Sequence, residues 1–136
     1  MDSAANLLML DEGFKQFVYK DTKGIPTIGF GRNLRDKGIS KAEAEWLLQN
    51  DIRDTYQELL RNIPWICQLN EARQAVLCDL AFNLGIVGFM AFKSFLGFVQ
   101  RCQWQQAAED LLKTEVAKQE PLRIARLARI LETGQL

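Results

Sequence analysis

SKAEAEWLLQNDIRDTYQELLRN, residues 40–62, is the stretch on which the fold turns. Ser40 and Glu43 stand as S-x-x-E, a capping box. In it the serine hydroxyl accepts from the third helical amide and the glutamate reaches back to the serine amide. Beyond the box Ala44, Leu48, Ile52, Tyr56 and Leu60 recur at spacing four, and neither Gly nor Pro intervenes before Pro64. The pattern predicts one long helix ending near Asn62.

Upstream, residues 3–12 predict a short helix carrying Leu7, Leu8 and Met9, with Gly13 just past its end. The character then changes. Phe17-Val18-Tyr19, Lys23-Gly24 and Thr27-Ile28-Gly29-Phe30-Gly31 are β-prone pieces broken by glycines, which predicts a small antiparallel sheet; residues 35–39 read as a polar turn. Downstream, Asn70 can cap a helix from Glu71 to Leu84 that stops at Gly85. It is apolar over most of its surface, as a central core helix is. Phe92–Arg101, Trp104–Lys113 and Pro121–Leu131 predict three shorter helices, with Pro121 suited to a first helical position. The expected class is α+β, mostly α, in a single domain over 1–136. A small lobe at about 13–39 and a connecting helix at 40–63 precede a helical lobe at 64–136, against which helix 3–12 packs. A cleft between the lobes is the expected binding site.

Composition narrows the chemistry. Lys plus Arg and Asp plus Glu are 17 each, so the basic excess of a nucleic-acid binder is missing. Cys67, Cys78 and Cys102 are odd in number and far apart, which predicts reduced, partly buried thiols and synthesis in a reducing compartment. No stretch approaches the roughly 18 consecutive apolar residues of a membrane span, so no stable membrane insertion is expected. The acidic start and the short apolar run Leu7–Leu10 do not read as an export signal. The chain contains no histidine, which excludes Ser-His-Asp and Cys-His nucleophiles and imidazole zinc sites; neither metal nor cofactor is expected. Carboxylate chemistry remains.

Glu12, Asp21 and Thr27 fit that chemistry. Glu12 falls at a helix C-terminus, where the macrodipole disfavours the ionised form and so favours a proton donor. Asp21 lies in a turn and Thr27 opens the next strand. Two carboxyls and a hydroxyl can flank a glycosidic bond and hold the attacking water. Taken alone, an acidic residue beside a turn is usually just solvated, and a plain turn residue is the default reading of Asp21.

The order and spacing carry a resemblance. Leu10-Asp11-Glu12-Gly13, Tyr19-Lys20-Asp21-Thr22 and Thr27-Ile28-Gly29-Phe30-Gly31 resemble the active-site region of glycoside hydrolase family 24, the phage-type lysozymes. That pattern is Glu, eight residues, Asp, five residues, Thr, then Gly-x-Gly, and this chain reproduces it. Ala81-Phe82-Asn83-Leu84-Gly85, Trp104 with Ala107 and Ala108, and Pro121 with Arg123 are similar to later family segments. The resemblance implies a lysozyme-like fold and an inverting muramidase acting on the β-1,4 bond between N-acetylmuramic acid and N-acetylglucosamine. It also implies Glu12 as general acid paired with Arg123, and Asp21 and Thr27 holding water. Asn33, Phe82, Asn83, Phe92 and Arg123 would meet the substrate; for the two phenylalanines core packing serves as well. Peptidoglycan glycan strands are the expected partner and a monomer the expected state. The implied site of synthesis is the cytoplasm of a host bacterium, with action on the periplasmic wall after holin-dependent release and host lysis as the result.

Departures are equally definite. The family often has His after Gly-x-Gly, where this chain has Arg32, and Asp51 is the expected structural partner of that arginine. Only seven residues separate Arg32 from Ser40, so the sheet lobe is trimmed. An inactive or tail-associated wall-binding module and a lytic transglycosylase are the alternatives.

Overall fold

The computed structural model describes residues 2–136. Among them are seven α-helices, a five-residue 3-10 turn and one three-stranded sheet, the mostly helical α+β class that the sequence implied. The chain divides after Leu47 into two compact units.

The first unit holds α1 (Asp2–Glu12), β1 (Lys15–Lys20), β2 (Pro26–Gly29), β3 (Arg32–Asn33) and the start of α2 (Lys41–Asn62). The sheet is an antiparallel meander in the order β1-β2-β3. Tyr19 pairs with Thr27 and Lys20 with Pro26, and Thr27 then pairs with Asn33, so Thr27 sits on the central strand. Among the described residues of this unit only Ile25 and Thr27 are buried. Within this unit α1 groups with the sheet.

The second unit carries the core. Its elements are the rest of α2, the 3-10 turn Pro64–Gln68, α3 (Glu71–Met90), α4 (Lys93–Gln100), α5 (Trp104–Leu112), α6 (Glu115–Gln119) and α7 (Pro121–Thr133). Leu59, Leu77, Leu80, Phe89, Leu111 and Ile124 are fully buried at its centre. The apolar stripe of α2 joins this cluster only at its end, through Tyr56, Leu59 and Leu60, whereas Leu48 and Ile52 remain exposed. The central helix does not stop at Gly85. That residue takes φ 73° and ψ 159°, which breaks the hydrogen-bond ladder, and a further helical piece continues to Met90. By length and composition α3 could cross a bilayer, which counting consecutive apolar residues had not anticipated. Its apolarity matches the burial of Val76, Leu77, Leu80, Ala81 and Phe89 in the core. The three cysteines are free, but Cys67 and Cys102 are exposed and only Cys78 is half-buried, less covered than expected.

The last helix is closed by a residue from the middle of the chain. Arg73 donates from Nε to the Leu131 carbonyl at 2.8 Å and from Nη2 to the Glu132 carbonyl at 3.2 Å, while Asn70 donates to the Gly134 carbonyl at 3.0 Å. These carbonyls would otherwise be unsatisfied at a helix end. The guanidinium also lies 3.9 Å above the Trp104 ring. Replacing Arg73 with Ala is expected to cost about 1–3 kcal/mol. Arg73→Lys should recover little, because an ammonium cannot serve two carbonyls and a ring face together. Thermal or urea unfolding of both variants checks this; a full recovery by Lys would contradict it.

Candidate active site

The site is built from the loop between β1 and β2. Asp21 Oδ1 accepts from the backbone amides of Lys23 at 2.8 Å and Ile25 at 2.9 Å. The Asp21 amide donates back to the Ile25 carbonyl at 3.0 Å. This is an aspartate ordering its own turn, the local chemistry that Asp-x-x-Gly invites. Thr27, 4% exposed, donates its hydroxyl hydrogen to the same Ile25 carbonyl at 2.8 Å. One residue's peptide groups are thus gripped by both candidates, the N–H by Asp21 and the C=O by Thr27. The two side chains are thereby held at one place in the loop.

Glu12 reaches the region from the other side of the sequence. It is the last residue of α1, and Gly13 terminates the helix by donating to the Met9 carbonyl at 3.0 Å. Its carboxyl lies against the backbone of Gly31, the second glycine of Gly-x-Gly: a methyl group added there would stand 2.8 Å from Oε2 and 2.9 Å from Cδ. Among the described residues Glu12 makes no ion pair.

Arg32 is engaged, but not by the expected residue. It donates from Nη1 to Glu43 Oε1 at 3.0 Å and to the Gly38 carbonyl at 3.0 Å, and Nη2 pairs with Glu43 Oε2. The partner is therefore Glu43 rather than Asp51. The physical reason is the capping box: Glu43 is already turned back to accept from the Ser40 amide at 3.0 Å, while Ser40 Oγ accepts from the Glu43 amide at 3.1 Å. That presents its carboxylate at the helix start, whereas Asp51 lies about 12 Å further along the helix axis. The Arg32 hydrogen bond, reinforced by Ser40, lowers the Glu43 pKa to about 2. A carboxylate depressed in the folded state contributes stability above its unfolded value, about 4.3, and loses it as pH falls through the folded one. Wild type and Glu43→Gln should therefore differ in Tm at neutral pH, converge below about 4.3, and coincide near 2. A gap independent of pH would contradict the pairing.

In the second unit Arg123 lies between two carboxylates. Nε and Nη2 each approach Asp79 Oδ1 at 2.9 Å and Nη1 approaches Glu120 at 3.4 Å, while Asn83 donates to Glu120 Oε2 at 2.7 Å. Burial works against the Arg123 charge, and the two carboxylates outweigh it, holding the guanidinium above its ordinary pKa. Within the second unit the partners of Arg123 are Asp79 and Glu120. Arg123, Asp79 and the exposed Phe82 line a cavity of ≈ 490 Å³, together with Cys78, whose thiol burial pushes up. Phe92 stacks edge-on against Phe95 and joins the core. Phe92 is thus partly buried, whereas Phe82 remains exposed. Asn33, the last residue of β3, holds the turn that follows it: its Oδ1 accepts from the Asp36 amide at 2.8 Å.

Sequence reasoning passed over Asp79 and Glu120, and saw Gly31 only as part of the Gly-x-Gly motif. Glu120 was legible as an i,i+3 neighbour of Arg123. Asp79, 44 residues distant, carried no local signal.

Comparison with known proteins places the chain in a family. A family model described as phage lysozyme matches residues 10–129. Over its whole length the chain is 25% identical to a probable T4-type lysozyme of Dictyostelium discoideum, covering 97% of that protein. It is 31% identical to the endolysin of Salmonella phage P22, with 84% of this chain and 82% of that one aligned. A similar segment, at 27% identity, forms 28% of the pre-baseplate central spike protein of phage T4.

Proposed function

The chain belongs to the phage lysozyme family and is a glycoside hydrolase of the lysozyme type; we propose that it cleaves the β-1,4 bond between N-acetylmuramic acid and N-acetylglucosamine with inversion. The observation that carries this reading is the shared grip on Ile25. Asp21 Oδ1 is occupied by two amides, which leaves Oδ2 free to accept. Thr27 has committed its only hydroxyl hydrogen to a carbonyl, so toward water it acts solely as an acceptor. A water donating one hydrogen to each presents its lone pair outward, as a nucleophile must.

In the reaction Glu12 gives its proton to the leaving sugar oxygen as the C–O bond breaks. The water oxygen bonds to the anomeric carbon from the opposite face and its proton passes to Asp21. Solvent then restores Glu12 to the acid and Asp21 to the carboxylate. Each step uses one carboxyl and no covalent enzyme intermediate, the pattern of an inverting hydrolase.

The biological setting is part of the same proposal. A monomer, made in the cytoplasm of a host bacterium and released through a holin lesion, would act on the periplasmic wall and lyse the cell. The relationship to a phage endolysin supports it.

Digestion of purified peptidoglycan tests the chemistry. Mass spectrometry should find reducing muramic ends, and NMR of the first product formed should find the α-anomer. Anhydro-muramic ends would make the protein a transglycosylase, and an initial β-anomer would exclude inversion.

A further inference from the structure

We infer that Gly31 is a positioning residue for the acid: the missing side chain is the space in which the Glu12 carboxyl rests. This rests on Glu12 being the proton donor. Gly31 adopts φ 76° in the turn between β2 and β3, and a Cβ there would meet Glu12 at Oε2, Cδ and Cγ, at 2.8, 2.9 and 3.2 Å. These are distances at which something must move. The object that moves is the Glu12 side chain itself, because it is exposed, holds no ion pair among the described residues, and has three rotatable bonds. A side chain at position 31 therefore ejects the acid from its seat and leaves the turn in place.

Gly29 makes the comparison clean. It lies two residues away with φ 69°, and a Cβ built on it meets nothing within 4 Å. Both glycines take a left-handed φ that strains any substituent, Gly29 at the end of β2 and Gly31 in the turn, and only at Gly31 does the substituent also meet Glu12. The pattern Gly-x-Gly thus combines two requirements, a backbone requirement at both glycines and a requirement for empty space at the second.

The test compares Gly31→Ala with Gly29→Ala, using soluble uncrosslinked glycan strands as substrate, with Glu12→Gln measured alongside. Both alanine variants should lose Tm. Gly31→Ala should lose kcat on the order of 10²-fold, as a displaced catalytic group does, with KM little changed. Gly29→Ala should keep kcat within a few-fold of wild type. Asn tolerates the left-handed conformation better than Ala, so Gly31→Asn and Gly29→Asn repeat the comparison if either alanine variant folds poorly. Equal kcat for the two positions would overturn the inference, as would a loss confined to KM, which would mean that the added group obstructs the glycan. An active Glu12→Gln would remove the proposed acid and the inference with it. An inactive Glu12→Gln beside equal alanine variants would remove the inference alone.

Discussion

Glu12→Gln is expected to fold, to bind wall fragments and to cleave them at least 10²-fold more slowly than wild type, within the 10²–10⁴-fold range of a lost general acid. The amide keeps the size and the hydrogen-bonding capacity of the carboxyl but has no acidic proton for the leaving oxygen. Little structural cost accompanies it, because Glu12 makes no ion pair among the described residues and its carboxyl rests on glycine backbone. Removing a negative charge from a helix C-terminus relieves an unfavourable dipole interaction, so Tm should hold or rise slightly. Release of reducing ends and the thermal midpoint, measured on one preparation, check both halves. Turnover near wild type would end the assignment of Glu12, however well the variant folded.

Asp21→Asn should separate chemistry from structure in a way that Asp21→Ala cannot. The asparagine oxygen can still accept from Lys23 and Ile25, so the loop that brings Thr27 into place survives. Its amide nitrogen, however, replaces the free Oδ2, turning an acceptor into a donor and leaving no base for the water proton. Activity should fall on the order of 10²–10⁴-fold with Tm nearly unchanged. Alanine removes both backbone bonds as well, and should add about 1–3 kcal/mol of destabilisation to the same loss of activity. An Asn variant with high turnover would show that Asp21 serves the loop and not the reaction. A stable Ala variant would show the reverse.

Replacement of the expected histidine by Arg32 has its own consequence. A histidine pair would weaken as the imidazole deprotonates near neutral pH. Arginine does not deprotonate in that range, so only Glu43 titrates, far below neutrality. The join between sheet and helix start is then insensitive to pH across the range in which a bacterial wall is attacked.

Much of this was legible in the chain because it is local. The capping box at Ser40 and Glu43, the Asn70 cap and the end of α1 at Gly13 each depend on residues within one helical turn. The five-residue helix α6 escaped notice because its length is too short for any period to show, although Thr114 caps it by accepting from Ala117. Gly85 was read as an end, and so it is for the hydrogen-bond ladder. Whether a chain resumes helix beyond such a residue depends on what awaits its side chains, and here Phe89 enters the core.

By itself the sequence determined the class of fold, the sheet and all the helices but α6, which follow from periodicity, caps and spacing between near neighbours; the family, and with it the candidate trio Glu12, Asp21 and Thr27, came from the resemblance of their motifs. Tertiary structure alone decided which carboxylate each arginine takes. Arg32 had Glu43 and Asp51 available on one helix, and the carboxylate already turned back by its cap won. Arg123 took Asp79 from a different helix. Ion pairs are nearly indifferent to sequence distance, and several candidates of similar energy compete for each guanidinium, so only the packed backbone selects among them. The empty space at Gly31 is of the same kind: a glycine announces a backbone conformation in its sequence, but what occupies the place of its absent side chain is known only once the chain has folded around it.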